Sequence, residues 1–304
     1  MMNINEVLNI KYPIFQGGMA NIATGEFAAA VSNAGALGII GAGGMDGPML
    51  RENIKRCKEL TDKPFGVNIM LMSPYVDQLA EIIAEEKVAV VTTGAGNPGK
   101  YMEMWKNAGI KVFPVVASVA LAKRLASQGA DGLIAEGSEA GGHIGEVSTM
   151  VLVPEVAQAV DIPVIAAGGI ATGRQMAAVE MLGASGVQIG TCLLASEECP
   201  IHINYKEAVV KARDNGTIVT GRIAGTPVRI LKNPMAREYV KMEKQGADKM
   251  ELEKFTLGSL RKAVIDGDVK NGSLMAGQVS SMVKEILPVA EILKNMTEEY
   301  KNIR

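Results

Sequence analysis

The 304-residue chain has 34 glycines, 48% hydrophobic and 21% charged residues, and a net charge of −2. The apolar content excludes global disorder, and near-neutral charge with one Trp, six Tyr and five Phe argues against a base-stacking nucleic-acid binder. Glycine at about 11% of the chain, against roughly 7% in ordinary usage, shows no Gly-X-Y period. It therefore calls for tight turns or close approach of backbone to a ligand. Cys57, Cys192 and Cys199 form no metal or redox spacing. The amino-terminal stretch lacks a secretory pattern, and no apolar run reaches the ~18 residues of a membrane span. A reduced cytoplasm is the expected setting, with neither membrane nor nucleic acid as partner.

In chain order, short apolar runs recur at Pro13–Gln16, Leu37–Ile40, Phe65–Ile69, Val88–Thr92, Lys111–Val116, Gly132–Glu136, Pro163–Ala167 and Gly186–Ile189. Their continuous rather than alternating character predicts parallel strands buried on both faces. The starts advance by about 25 residues, enough for a strand, a helix and two loops. Helical patterns lie between them at Gly25–Asn33, Leu50–Leu60, Val76–Glu86, Tyr101–Ala108, Ala120–Gln128, Val151–Val160 and Arg174–Leu182. Gly35, Gly109, Gly129 and Gly183 stand where a helix stops and a strand follows. Eight strands with seven helices predict a (β/α)8 barrel. A doubly wound sheet is the competing architecture, but no GxGxxG opens the first helix.

After Ala195 the rhythm breaks. Residues 1–197 are read as the barrel, 198–276 as a smaller, mostly helical cap inserted after strand 8, and 277–304 as closing helices that return to the barrel. Within the cap, Arg237–Lys254 and Phe255–Asp266 are expected to be helices. Beyond it, Val279–Leu287 and Val289–Asn302 are expected likewise. The cap holds 14 basic and 10 acidic residues, a net +4 within a chain of −2. That charge suits either a solvated helical surface or electrostatic steering of an acidic partner.

Barrel active sites lie at the carboxyl ends of the strands, and the loops after strands 7 and 8 commonly bind phosphate. Gly168-Gly169 and Gln188-Ile189-Gly190-Thr191 fit such a site, with exposed N–H groups and a hydroxyl as donors; simple tight turns are the plainer reading. Glu136 to Gly145 is the richest stretch. It sets His143 between glycines in a loop at the same face, where an imidazole can donate a proton or polarise a carbonyl. Asn68 ends strand 3 at the same mouth with an amide that both donates and accepts. Met19 and Met275 could pack on a flat ring, although methionine most often fills core. His202 lies beyond the barrel and is read as structural. No Ser-centred triad pattern is present.

Several stretches together resemble one family: Phe15-Gln16-Gly17-Gly18-Met19-Ala20, Gly66-Val67-Asn68-Ile69-Met70, Thr92 to Gly96, Glu139 to Gly145, Ala166 to Ile170, Gln188 to Thr191 and Met275-Ala276-Gly277-Gln278. The family is that of the FMN-dependent enoyl-acyl-carrier-protein reductases of type II, joined with the nitronate monooxygenases. The resemblance covers nearly the whole chain. Asn204 to Glu207 and Met275 to Gln278 lean toward the reductase branch. It implies that NADH or NADPH reduces FMN, which then passes hydride to a trans-2-enoyl thioester in fatty acid biosynthesis. By the same resemblance, His143 is the catalytic candidate. The FMN site is carried over to Gly18, Met19, Asn68, Ala140, Gly141, Gly142, Gly168, Gly169, Gln188, Gly190, Thr191, Met275, Gly277 and Gln278. Also implied are an acyl carrier protein as partner, a homodimer, and a monovalent cation in some relatives. Nitronate oxidation with FMN and oxygen, and a non-redox phosphate-binding barrel, remain the rivals.

Overall fold

The computed structural model describes residues 4–303; the first three positions and position 304 of the expected domains lie outside the described residues. Eight parallel strands form one sheet: β1 (Ile14–Gln16), β2 (Gly38–Gly41), β3 (Phe65–Met70), β4 (Val90–Gly94), β5 (Lys111–Val116), β6 (Leu133–Glu136), β7 (Val164–Ala167) and β8 (Gly186–Ile189). Each pairs with its sequence neighbour from β2 to β8, and β8 pairs with β1. A parallel bridge between Phe15 and Leu37 joins β1 to β2 and closes the (β/α)8 barrel.

Strand parity divides the core in two, because successive side chains point to opposite faces. Phe15, Leu37, Ile39, Val90, Phe113, Ile134, Ile165 and Ala167 form the inner cluster. Ile14, Ile40, Val67, Val91, Val112, Leu133, Val164 and Val187 face the helices. Phe15 and Phe113 meet edge-on at 5.4 Å across the interior. A short helix, Ile4–Leu8, brings Ile4 and Leu8 into this inner cluster. Periodicity alone did not assign that helix.

The seven outer helices occur where the pattern places them, two with the expected boundaries and five with boundaries moved by at most three residues. Thr24, Asp46, Ser118 and Thr172 cap four of them by accepting a hydrogen bond from the N–H three residues on. At the helix stops, Gly35, Gly109, Gly129 and Gly183 have φ of 102°, 80°, 92° and 101°, the left-handed conformation that glycine adopts without strain. After β8 comes only Thr191–Leu194. The long helix Val289–Ile303 packs against both Gly173–Met181 and Gly25–Asn33 and so fills the eighth outer position. There Glu299 accepts a 2.8 Å bond from the Gly173 N–H.

Beyond the barrel, three expected helices are corrected, and the cap, mostly helical as expected, also carries a ribbon. The segment read as mostly helical contains an antiparallel ribbon, β9 (Thr217–Thr220) and β10 (Val228–Leu231). Its third strand is Gly142–His143, from the loop after β6; that partner is remote in sequence and invisible to local pattern. Arg237–Lys254 is two helices, Pro234–Lys244 and Lys249–Thr256. They are separated at Gly246, whose φ is 87°, and the second starts with a capping box between Asp248 and Glu251. Phe255–Asp266 is broken at Gly258, φ 73°, into Ser259–Arg261 and one π turn. Val279–Leu287 is a short 3-10 turn, Gln278–Met282, followed by chain that bridges Leu287 to Ser196. Pro288 disfavours helical backbone in the residue before it.

The cap's first helix, Ile203–Val210, is anchored by Lys206. Its buried ammonium donates to the carbonyls of Ser196 and Glu197 at 2.7 and 3.0 Å. Lys206→Met leaves both acceptors without that donor. It is expected to cost about 2 kcal/mol, read as a lower urea midpoint with unchanged slope.

Candidate active site

Parity carried above Ile39, Val90, Ile134 and Ile165 puts Gly17, Gly41, Asn68, Thr92, Gly94, Glu136, Ala167, Gln188 and Gly190 on the inner face at the carboxyl end of the barrel. Large apolar side chains fill the lower layers, and this last layer is small or polar. The result is a cup.

Around its rim the expected residues come together in a chain of contacts. A Cβ at Gly18 would lie 2.3 Å from the Asn68 side chain, so the β1 loop passes directly over that amide. Met19 places its sulfur 3.6 Å from where a Gly190 Cβ would be. Thr191 accepts a 2.8 Å hydrogen bond from the Gly277 N–H. A Cβ at Gly141 would strike Ala276 and Gly277 at 2.6 and 2.7 Å, and one at Gly142 would meet the Met275 sulfur at 3.5 Å. The Gln278 N–H donates to the Glu139 carbonyl at 2.9 Å. Ala140 is buried within this packing, and the Gln278 side chain is exposed beside it.

Three expectations are sharpened. Asn68 already donates its Nδ2 to Thr92 at 2.9 Å, leaving its Oδ1 and one N–H for a ligand. The Thr191 oxygen already holds Gly277, so toward a phosphate the hydroxyl can only donate its proton. Gly168 and Gly169, φ 90° and 71°, are required by the backbone itself: their missing Cβ atoms would meet the Gly137 carbonyl at 2.8 Å and Glu139 at 3.2 Å, not the cup. By contrast, a Cβ at Gly94 would meet nothing within 4 Å. Those at Gly17 and Gly190 would make only ordinary contacts of 3.5 and 3.6 Å. The fold does not need glycine at these three positions, so the space they leave is available to a ligand.

Other residues brace the site. Glu139 accepts from the Thr149 N–H at 2.9 Å and its hydroxyl at 2.8 Å; Thr149 also lies 2.9 Å from the Gly168 carbonyl. Arg229, buried on β10, donates twice to the Ser138 carbonyl at 2.9 and 3.2 Å. It thereby locks the loop carrying His143 to the cap. Nothing local in the sequence marks Arg229 for this role. The Glu139–Thr149 pair, separated by one loop, is equally silent in a linear pattern.

His143 pairs through its backbone with Val228 on β10. Its ring is solvent-accessible and has no hydrogen-bond partner among the described residues. The surrounding protein lowers its pKa from 6.5 by desolvation, so the neutral imidazole prevails at pH 7, with one N–H to donate. Gln188 is 8% exposed, and its amide likewise has no partner among the described residues.

The nitronate monooxygenase family model matches residues 2–81 and 73–299. A structure of FabK from Thermotoga maritima superposes with a TM-score of 0.97 at 50% identity, covering all of this chain and 97% of that one. A nitroalkane oxidase from Streptomyces ansochromogenes superposes at 0.89 with 28% identity, over 99% of this chain and 98% of that one. A probable nitronate monooxygenase of Staphylococcus saprophyticus is 32% identical over 99% of this chain and 98% of its own length. The chain belongs to the nitronate monooxygenase family of oxidoreductases.

Proposed function

We propose that the protein is an FMN-dependent enoyl-acyl-carrier-protein reductase that uses NADH or NADPH. The observation that carries this reading is the 50% identity to FabK, an enzyme of that kind, across the full chain. The cup fits the cofactor. Gly17, Gly94 and Gly190 leave room that the fold does not require, and Gln188 offers a buried amide without a partner. Phosphate would be held by the N–H groups of the Gly168-Gly169 turn and the short helix after Gly190, with the Thr191 hydroxyl as donor. The ring would lie among Met19, Asn68, Ala140, Gly141, Gly142, Met275, Gly277 and Gln278.

Bound there, FMN supplies hydride chemistry between the nicotinamide and the enoyl β-carbon. The chain's own part is alignment and charge stabilisation. His143 donates its N–H to the thioester carbonyl and so favours negative charge on that oxygen. Arg229 and the strand pairing with β10 hold the imidazole in place. The basic cap, net +4, supports an acyl carrier protein as partner, and the resemblance supports a homodimer, a cytoplasmic setting and a dependence on a monovalent cation. A second reading, nitronate oxidation with oxygen, draws on the family model and the 32% identical relatives. Anaerobic reduction of the bound flavin by NADH and by NADPH, then reoxidation by an enoyl thioester, tests the first reading. Oxygen uptake with a nitronate and indifference to both nucleotides would establish the second.

His143→Ala is expected to lower kcat by about 10²- to 10⁴-fold, with His143→Gln recovering part of the loss through its own N–H. Because desolvation holds the His143 pKa below 6.5, the imidazolium, the stronger donor to the thioester oxygen, is lost as pH increases through that lower value, and activity should fall there and then stay level. The fall should vanish in His143→Gln, as a pH profile of kcat/KM will show. Gly190→Val should abolish FMN binding with little change in the apoprotein melting temperature. Gly169→Val should lower both, since its φ of 71° strains any side chain; calorimetry and fluorescence titration separate the two.

A further inference from the structure

One carboxyl in the cup is left unused by this account. Glu136 ends β6 on the inner face, two residues above Ile134. Its register partner is Ala167, and the next partner across is Gln188. A carboxyl and an amide therefore rise on either side of one methyl group. Neither has a hydrogen-bond or ion-pair partner among the described residues.

The elements facing Glu136 supply no counter-charge. The end of β5 contributes Val115, Val116 and Ala117. Ala167, Gly168 and Gly169 follow on β7, and Met275 to Gln278 complete the wall; none of these titrates. In the 137–147 loop, the Glu139 oxygens are bound by Thr149 and Glu146 is paired with Arg222. His143 pairs through its backbone with Val228 of the cap strand and makes no ion pair with Glu136, and Arg229 is committed to the Ser138 carbonyl. Burial alone pushes the Glu136 carboxyl up to about 7, so it changes protonation near neutral pH.

We propose that Glu136 is the charge-compensating proton acceptor of the cup: its carboxylate binds one proton from solvent when the bound flavin gains two electrons, and releases it on reoxidation. This rests on the flavin reading above and is independent of the second substrate. The balance is simple. Hydride from a reduced nicotinamide carries two electrons and one proton, leaves the nicotinamide oxidised, and lowers the net charge in the cup by one. The added negative charge raises the proton affinity of the carboxylate further. One O–H bond then forms at Glu136 with a solvent proton, restoring the charge. When hydride leaves for its acceptor, that O–H bond ionises again.

The test titrates FMN-loaded native enzyme and Glu136→Gln against a redox dye from about pH 7 to about pH 9. One proton taken up per electron pair changes the reduction equilibrium about tenfold per pH unit, and two change it about a hundredfold. For native enzyme the dependence is expected to exceed tenfold and to approach a hundredfold as pH rises above about 7, and for Glu136→Gln it is expected to stay tenfold. The reduced-minus-oxidised infrared difference spectrum of native enzyme should also gain a protonated-carboxyl band. If Glu136→Gln fails to fold or to load, that band in native enzyme decides, its presence supporting and its absence overturning the proposal. Equal pH dependence in both proteins overturns the proposal alone. Native protein that binds no FMN overturns the flavin reading and the proposal with it.

Discussion

Everything at the mouth depends on how side-chain volume is distributed along the inner face of the barrel. Below, Phe15, Phe113, Ile134 and Ile165 close the interior. One layer higher, the same face carries glycine, alanine and short polar groups. A barrel filled to the top with branched side chains would be a stable solid with no recess. Here the upper layer gives up apolar packing, and the lower layer with the helix Ile4–Leu8 bears the stability. The division also sets the chemistry. Amides and a carboxyl at the floor of a recess have few waters to solvate them, and their charge state responds strongly to whatever binds above.

The site spans two structural layers that depend on each other. Its floor and phosphate end belong to the barrel. The imidazole belongs to a strand completed by the cap ribbon, with Arg229 as the tie. The segment Met275 to Gln278 closes the remaining gap: Met275 pairs with Ile230 and accepts from the Tyr205 hydroxyl, and Gly277 bonds to Thr191. A displaced cap would therefore move His143 relative to the floor without disturbing the floor itself.

The barrel was legible in the sequence because its signals are local and repeated: continuous apolar runs, then a glycine at each helix stop. The glycine-rich ends of strands 1, 6, 7 and 8 were legible for the same reason. Glu136 was in view as the end of a run, yet its significance depends on parity with Ile134, which appears only once the inner cluster is known. The ribbon at Thr217–Thr220 and Val228–Leu231 escaped because its strands are four residues long and its third partner lies in the barrel. Gly246 and the Asp248/Glu251 box were readable signals against a single long cap helix, overridden there by the run of charged residues around them. Gly168 and Gly169 were readable as N–H donors or as tight turns, but that their own φ and neighbours demand glycine, whatever binds above, depends on contacts with Gly137 and Glu139 that a linear pattern does not show.

The helix Val289–Ile303 occupies the eighth outer position, although the whole cap lies between it and β8. Until it docks, the helices Gly173–Met181 and Gly25–Asn33 have an uncovered seam. During synthesis the ribosome releases all eight strands long before it releases the element that covers that seam. Native barrel packing thus waits for the carboxyl-terminal residues. The growing chain must pass through a stage with an apolar groove open to solvent, which is where chaperone contact and misassociation are to be sought.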